Sequence, residues 1–320
     1  MNRWLNKTLI VLLFFFPLII KSGYYLRLVN VALVYALLVL SLNIAMGYAG
    51  LVSLGHAGFF GIGAYTSALL SVKFGIPFII ALPTAGVVTT ILGLFFGIPT
   101  LRLKGNYLTL ATLGFGEIVR YVLLNWKSVT GGQDGIGGIP APGIGSFVLA
   151  SDAQYYYLVL IMVLLLANIS LRIRNSKYGR ALIAIKTSAP VTAAMGINPA
   201  VIRIIAFALS AFFAGLAGSM YAHLYTFIDP EVFGFDVSSL ILAMLLIGGM
   251  GTVEGAVLGA LILTFLPEFL RFSKEYYMLI YGLGIIALVV FLPQGIVGAF
   301  KKSSFVKLLH SKGGGVEIDG

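Results

Sequence analysis

The sequence predicts an all-α integral membrane protein with about ten transmembrane helices and with both termini in the cytoplasm. Hydrophobic residues make up 59% of the 320 residues, charged residues make up 10%, and the mean hydropathy is +1.02. The apolar residues form blocks of about twenty, the length that an α-helix needs to cross about 30 Å of hydrocarbon. Lysine and arginine collect in a few loops beside those blocks, as is typical of cytoplasmic loops.

Hydropathy places the spans in order along the chain. The first resembles a signal peptide, but no small-x-small cleavage site follows it, so we expect a retained helix. The eighth and ninth segments flank a glycine-rich break at residues 248–251 and are either two spans or one interrupted helix. The ten segments are residues 5–20, 28–46, 51–72, 76–98, 105–124, 155–171, 204–222, 237–249, 253–266 and 276–292.

Charge in the loops predicts the orientation, because lysine and arginine in short loops resist translocation. Residues 172–203 carry six basic residues and no acidic one, whereas residues 223–236 carry three acidic residues and no lysine or arginine. The first of these loops is therefore expected inside and the second outside. We expect one transmembrane domain over residues 1–300, followed by a basic, disordered cytoplasmic tail over residues 301–320.

Glycine and alanine recur at a spacing of four residues within several spans, a pattern that lets helix backbones approach closely. Two stretches, residues 47–63 and 248–259, are especially rich in glycine and fall in opposite halves of the chain. Paired interrupted helices of this kind can mark the binding site and inverted repeat of a transporter. The pairs at a spacing of four are Gly93 and Gly97, Ala214 and Gly218, and Gly255 and Gly259.

Few polar side chains lie within the predicted spans. Glu117 and Arg120 are three residues apart on one helix, so their side chains can meet, either as a structural ion pair or as an intramembrane functional group. His56 follows the Gly47-Tyr48-Ala49-Gly50 break and is either a hydrogen-bonded packing residue or part of a gate. His223 ends the seventh span, where we expect it to be in solvent.

Several classes of function lack the residues that they need. The chain has no cysteine, and its three histidines are far apart, so the pattern of a metal or disulfide site is missing. It has no phosphate-binding G-x-x-x-x-G-K-[ST] motif, so any ATP that drives it must bind another chain. The net charge of +10 lies in loops beside spans, which indicates membrane orientation and not nucleic-acid binding. We therefore expect no enzyme activity and no cofactor or metal in this chain.

The 172–203 loop contains a helical pattern over residues 180–194, with Ala181, Ile185 and Ala189 on one face. Gly196 stands where a helix stop is expected, with Pro199 shortly after it. Such a helix either docks against another protein or lies on the membrane surface, held to anionic lipid by its basic residues. The pattern leaves both interpretations open.

Six segments of the sequence closely resemble the LivM-type permease of branched-chain amino acid ABC importers. The resemblance runs in order over about residues 28–298. The segments are SLGHAGFFGIGAYTSALL (53–70), LRLKGNYLTLATLGFGEIVR (101–120), TGGQDGIGGIP (130–140), AAMGIN (193–198), FALSAFFAGLAGSMYAH (207–223) and FIDPEVFGFDVSSLILAMLLIGGMGTVEGAVLGA (227–260).

The resemblance implies the ABC importer permease fold in a bacterial inner membrane. It also implies a LivH-type permease as partner, two cytoplasmic ATPase subunits that bind ATP, and a soluble binding protein that delivers leucine, isoleucine or valine. The helix that couples the permease to the ATPases corresponds to about Thr187–Gly196. The coupling-loop residues that it suggests are Arg180, Lys186, Thr187, Ala193, Ala194, Met195 and Gly196.

This chain departs from the family pattern in the coupling loop. Acidic residues are usual there, where this chain has Thr187, Ala189 and Ala193, and Pro190 interrupts the expected helix. We expect the helix to begin near Pro190, since proline is tolerated in a first turn. The contact with the ATPases is then expected to be more apolar than is usual.

The sequence alone leaves two alternative functions open. One is an ion-coupled secondary transporter of a small polar solute, for which Glu117 is the candidate carboxylate. The other is the same type of importer acting on another amino acid, an amide or urea.

Overall fold

Twelve α-helices account for most of the described part of the chain. The computed structural model describes residues 14, 16–17, 22–100, 103, 105–144, 147–149, 151–270, 277–292 and 294–299. The helices are α1 Gly23–Leu42, α2 His56–Phe74, α3 Phe78–Thr100, α4 Asn106–Asn125, α5 Lys127–Thr130, α6 Asp152–Asn175, α7 Lys177–Thr187, α8 Ala189–Ala194, α9 Pro199–Tyr225, α10 Phe235–Gly248, α11 Val253–Leu270 and α12 Tyr277–Phe291.

Six of the described helices are long and apolar enough to cross a membrane. They are α1 with the π-helical turn that continues it to Tyr48, α3, α4, α6, α9 and α11. The prediction of an all-α membrane protein is thus confirmed, whereas the count of ten spans and the orientation of the termini stay predictions. The proposed first span, residues 5–20, lies almost wholly outside the described residues, and the tail over 301–320 lies outside them entirely.

Helix α1 lies at the centre of the bundle. Its residues Leu38, Val39, Leu40 and Leu42 are fully buried, and it packs against α6, α9 and α11. A helix that is hydrophobic on all sides, as α1 is, is stable only where it is enclosed on all sides. Because α9 also packs against α2 and α3, α1 and α9 together connect most of the bundle.

Glycine sets how closely α2 and α9 approach. A Cβ atom built on Gly63 would lie 2.3 Å from the carbonyl oxygen of Gly215, and one on Gly218 would lie 2.1 Å from that of Phe60. Real side chains do not reach such distances, so a larger residue would force the two backbones apart. The interpretation of Gly218 as a close-packing residue is therefore confirmed, and Ala214 is fully buried.

The other two small-residue pairs also lie at close contacts. A Cβ atom on Gly97 would meet the ring of Phe207 at 2.3 Å, and one on Gly93 would meet the Cβ of Ala211 at 3.0 Å. Gly255 and Gly259 lie in α11 and contact α10, as described next. Each pair thus brings α3 or α11 close to a neighbouring helix.

Helices α10 and α11 form a hairpin and are two separate helices, which answers the question that the sequence left open. Gly248 in α10 faces Gly255 in α11, where an added Cβ would lie 1.9 Å from the Gly255 carbonyl oxygen. With 14 residues, α10 is about 21 Å long at 1.5 Å per residue. It is therefore shorter than the hydrocarbon core of a bilayer.

Short strands join the segments that connect the helices. Strand β1 (Ile136–Gly137) pairs antiparallel with β4 (Phe227–Ile228), with Ile136 opposite Ile228. Strands β2 (Gly143–Ile144) and β3 (Phe147–Val148) form a second two-stranded ladder. The β1–β4 ladder holds the glycine-rich segment after α5 against the end of α9.

Candidate functional site

Two helix interruptions define the candidate site. The first interruption is residues 43–55, in which α1 passes into a π-helical turn over Asn43–Tyr48 and the chain then runs without helix until His56. The second interruption is residues 249–252, between α10 and α11, where Gly249 and Gly251 have φ of +121° and +77°. Glycine is favoured at such angles because it has no Cβ. Short π-helical turns within α-helices are frequent at functional sites.

The side chain of Asn43 joins the two interruptions. Its Oδ1 accepts a hydrogen bond from the Gly251 N–H at 2.8 Å, and its Nδ2 donates to the Thr252 carbonyl oxygen at 3.2 Å. Asn43 is fully buried. In apolar surroundings, backbone groups freed by a broken helix must be satisfied by other protein groups. One amide side chain does this for the second interruption.

The two glycine-dense stretches noted in the sequence also meet, since a Cβ atom on Gly47 would lie 2.9 Å from the Gly251 nitrogen, but sequence reasoning missed Asn43. The signal was present, because Asn43 is an amide near the end of an otherwise apolar predicted span, residues 28–46. A buried amide is costly unless it is hydrogen-bonded. Its partner could not be read from the sequence, since it lies 208 residues away.

The loop between α6 and α9 contains two helices, α7 and α8, instead of the single helix expected over residues 180–194. The helix breaks at Ser188, and α8 begins at Ala189 with Pro190 in its first turn, as expected from the proline. Ala181 and Ile185 of α7 are buried, as the pattern indicated. Ala189 belongs to the next helix and does not continue that face.

The end of α8 also follows the sequence pattern. Helix α8 stops at Ala194, and Gly196 adopts a left-handed φ of +83°. The Asn198 side chain then accepts hydrogen bonds from the N–H groups of the first turn of α9, and Pro199 is the first residue of that helix. Gly196 thus ends one helix and Asn198 begins the next.

Lys186 connects α7 to the first interruption. Its Nζ donates a hydrogen bond to the Gly47 carbonyl oxygen at 2.9 Å. A Cβ atom on Gly50 would lie 3.5 Å from the Cβ of Lys186, so the two backbones are also close. A lysine at the C-terminal end of a helix is favourable, because the exposed carbonyl groups there carry partial negative charge.

The remaining candidate residues of the coupling loop point outward. Met195 is 77% exposed and Val191 is 61% exposed, and Thr187, Ala193, Ala194 and Gly196 are exposed as well. Arg180 donates to the Asn175 carbonyl oxygen at 3.1 Å. We call the exposed apolar residues Val191, Ala193, Ala194 and Met195 the coupling patch. Contiguous exposed apolar surface of this kind commonly marks a contact with another molecule.

Glu117 and Arg120 form the expected ion pair, with Arg120 Nε 2.9 Å from Glu117 Oε2. The Arg120 guanidinium also reaches Glu231 Oε2, at 2.9 Å through Nη1. The side chains of Arg120 and Glu117 are 18% and 27% exposed. The group therefore connects α4 to the segment after β4, and the geometry fits a structural ion pair.

His56 is a buried residue with a hydrogen-bond partner. Its Nε2 lies 2.7 Å from Ser41 Oγ, and its ring packs edge-on against Phe59. This is the packing arrangement weighed for His56 in the sequence. Because Ser41 lies on α1 just before the first interruption, His56 fixes the start of α2 against the end of α1.

The prediction that His223 lies in solvent is wrong. His223 is 2% exposed, with Nε2 3.0 Å from Ser67 Oγ and Nδ1 2.7 Å from the Pro140 carbonyl oxygen. The segment after α5 folds over the end of α9 through the β1–β4 ladder and covers the histidine. That segment is distant in sequence, so the position of His223 at a helix end gave no sign of it.

Glu254 is a half-buried carboxylate that sequence reasoning did not single out. It lies in the first turn of α11, beside the second interruption, and its Oε2 is buried without a hydrogen bond to the described residues. A carboxylate is favourable at this position because the N-terminus of a helix carries partial positive charge. Among the described residues, no three histidine, aspartate or glutamate side chains group as metal ligands.

The Asn43 connection predicts a measurable cost. In Asn43→Asp, one carboxylate oxygen would face the Thr252 carbonyl oxygen, so a donor is lost and two acceptors meet. We expect a loss of about 2 kcal/mol, the usual scale for a buried unsatisfied group, read as a lower thermal unfolding midpoint of the purified protein. Asn125→Asp is the matched control, since Asn125 is exposed and bonds only within α4. Equal midpoints for the two variants would contradict the assigned role.

Comparison with protein families matches residues 24–289 to the permease component of the branched-chain amino acid transport system. The high-affinity branched-chain amino acid transport system permease protein LivM of Salmonella typhimurium is 34% identical over 95% of this chain and 77% of its own length. The LivM protein of Escherichia coli is 35% identical over 90% of this chain and 73% of its own length.

A more distant relative belongs to an import system for a different substrate. The autoinducer 2 import system permease protein LsrC of Escherichia coli is 29% identical over 91% of this chain and 86% of its own length. No solved structure matches the chain significantly. The family match spans both helix interruptions and the coupling loop, and the chain belongs to the family of branched-chain amino acid transport system permease components.

Proposed function

We propose that this chain forms half of the translocation pathway of an ATP-driven importer for leucine, isoleucine and valine in a bacterial inner membrane. The observation that carries the proposal is the continuous series of contacts from the coupling patch through α7 and Lys186 to the two helix interruptions. The family match and the similarity to LivM proteins support the substrate class. Its relatives are transport permease subunits. This chain is likewise a transport subunit and not an enzyme.

The partners follow from the same proposal. A LivH-type permease supplies the other half of the pathway, two cytoplasmic ATPase subunits bind and hydrolyse ATP, and a soluble binding protein delivers the substrate. The coupling patch supports an ATPase contact because Met195 and Val191 are strongly exposed and apolar. Apolar side chains at the centre of an interface contribute most when they fill a pocket of the partner.

The contacts suggest how a movement of the ATPases reaches the pathway. Pressure on α8 is passed to α7, from which Lys186 bonds to Gly47 in the first interruption. Asn43 then links that interruption to Gly251 and Thr252 in the second. Broken helices change shape more readily than continuous ones, because their backbone groups bond to neighbours that can be exchanged. We infer that the coupling segment and the first interruption move as one unit.

A second class of substrate is compatible with the same mechanism. The related permease LsrC belongs to an autoinducer 2 import system, so importers with a related permease are not restricted to branched-chain amino acids. An ion-coupled transporter is less well supported, because Glu117 is paired with Arg120 near Glu231 and is not available as a lone intramembrane carboxylate.

Uptake into proteoliposomes tests the proposal directly. The vesicles contain this chain, its paralogous permease and the two ATPases, with labelled leucine and the binding protein outside. We expect leucine to accumulate only when ATP is present inside the vesicles and the binding protein outside. Ionophores that collapse proton and sodium gradients should leave this accumulation unchanged. Accumulation that needs an ion gradient and no ATP would refute the ABC assignment. ATP-dependent uptake of a solute other than a branched-chain amino acid would keep the mechanism and change the substrate.

The coupling patch predicts a specific pattern of variants. Met195→Asp places a charge in an apolar contact, where a buried, unpaired carboxylate is strongly unfavourable. We expect it to abolish uptake and ATPase stimulation by the binding protein, whereas Met195→Leu keeps the apolar volume and should retain most of both. Copurification of the subunits separates loss of coupling from loss of assembly. Equal uptake by the two variants would mean that Met195 is not at the contact.

A further inference from the structure

A cavity beside the first interruption has walls of two kinds. It has a volume of about 310 Å³ and lies between α7, the start of α9 and residues 46–52. One part of the wall is cationic, with Lys186 and Arg203, and the rest is largely apolar. The apolar side chains are Met46, Val52, Ile185 and Met250.

The two cations of the cavity have no acidic counterpart on its wall among the described residues. Lys186 donates one hydrogen bond to Gly47, and an ammonium group has three donors. The Nε of Arg203 is buried and makes no hydrogen bond to any described residue. Two cations that line one cavity, one of them with a buried and unpartnered Nε, are stabilised by a counter-charge or by hydrogen-bond acceptors. The cavity therefore favours an anion.

The side chains that line the cavity indicate which class of anion fits it. A guanidinium group binds phosphate oxygens through two parallel hydrogen bonds, and a nearby ammonium adds charge. A zwitterionic amino acid would bring its own ammonium group toward Lys186 and Arg203, which is unfavourable. The apolar walls suit a ligand that carries its charge on an apolar body, and Lys186, Gly50 and Met250 are exposed at the edge of the cavity.

We propose that this cavity binds the phosphate group of an anionic amphiphile, with the headgroup of an acidic phospholipid as the most direct source. The phosphate bonds to Arg203 and Lys186, and the adjoining glycerol and acyl carbons lie against Met46, Ile185 and Met250. Basic pockets between membrane helices bind acidic headgroups elsewhere by the same chemistry. Because Lys186 also connects α7 to the first interruption through its hydrogen bond to Gly47, the bound phosphate would stabilise that connection. The site does not depend on what the protein transports.

Native mass spectrometry of the full-length chain in neutral detergent tests the site, with phosphatidylglycerol, phosphatidylcholine and inorganic phosphate as separate probes. We expect one phosphatidylglycerol bound more tightly than phosphatidylcholine, and a half-saturation concentration raised about tenfold in Arg203→Gln through loss of charge-assisted bonds. Arg172→Gln is the matched control, because Arg172 is exposed and bonds to Asn168 in α6.

A second pair of variants leaves both cations in place. Val52→Asp adds a negative charge to the wall of the cavity and should weaken phosphatidylglycerol binding. Val52→Asn introduces a side chain of nearly the same shape as aspartate but without the charge, and should weaken binding much less. Binding of inorganic phosphate that is equally sensitive to Arg203→Gln would support the site with a soluble source. Equal binding of the two lipids, or equal binding by the Arg203→Gln and Arg172→Gln variants, would overturn the proposal.

Discussion

Where a helix is interrupted inside an apolar bundle, the freed backbone N–H and carbonyl groups must form hydrogen bonds with other protein groups. The rest of this structure depends on how these groups are satisfied. The second interruption exposes the Gly251 N–H and the Thr252 carbonyl oxygen, and the single amide of Asn43 bonds to both. Water cannot substitute for it, because Asn43 is fully buried. The two interruptions are thus held in a fixed relation to each other.

This fixed relation requires a rigid surrounding bundle. The glycine contacts between α2 and α9, and between α10 and α11, leave no room for side chains between the backbones. Close backbone approach increases dispersion contacts, which drive helix association where the hydrophobic effect between helices is weak. His56 and Ser41 add a buried hydrogen bond between α1 and α2 just before the first interruption. Movement is therefore expected at the interruptions and not within the packed helices.

The sequence was informative wherever the physical cause is local. Hydropathy located the long helices because the thickness of the bilayer sets their length, and Pro190 correctly indicated the start of α8. The Glu117–Arg120 contact followed from helical spacing alone. Each of these depends on residues only a few positions apart.

Contacts between distant parts of the chain could not be derived in this way. Lys186 reaches Gly47 across 139 residues, and His223 is covered by a segment that folds back through the β1–β4 ladder. The apolar pattern alone joined α7 and α8 into one helix over residues 180–194, because Ala189 continues that pattern by chance, and only Pro190 indicated the break. Asn43 and Glu254 were visible as polar residues, but their surroundings come from other helices.

The central claim is that the coupling segment and the first interruption move as one unit, and a cross-link between them tests it most directly. The chain has no cysteine, and the Lys186 Cβ lies 3.5 Å from the position that a Cβ on Gly50 would take, within the range for a disulfide. Leucine uptake is measured with the Gly50→Cys/Lys186→Cys variant in its oxidised and reduced forms. We expect the disulfide to form and uptake in the oxidised form to be at least equal to that in the reduced form, which lacks the Lys186–Gly47 hydrogen bond. Uptake that stops on oxidation and returns on reduction would show that the two segments must move apart, which would contradict the account.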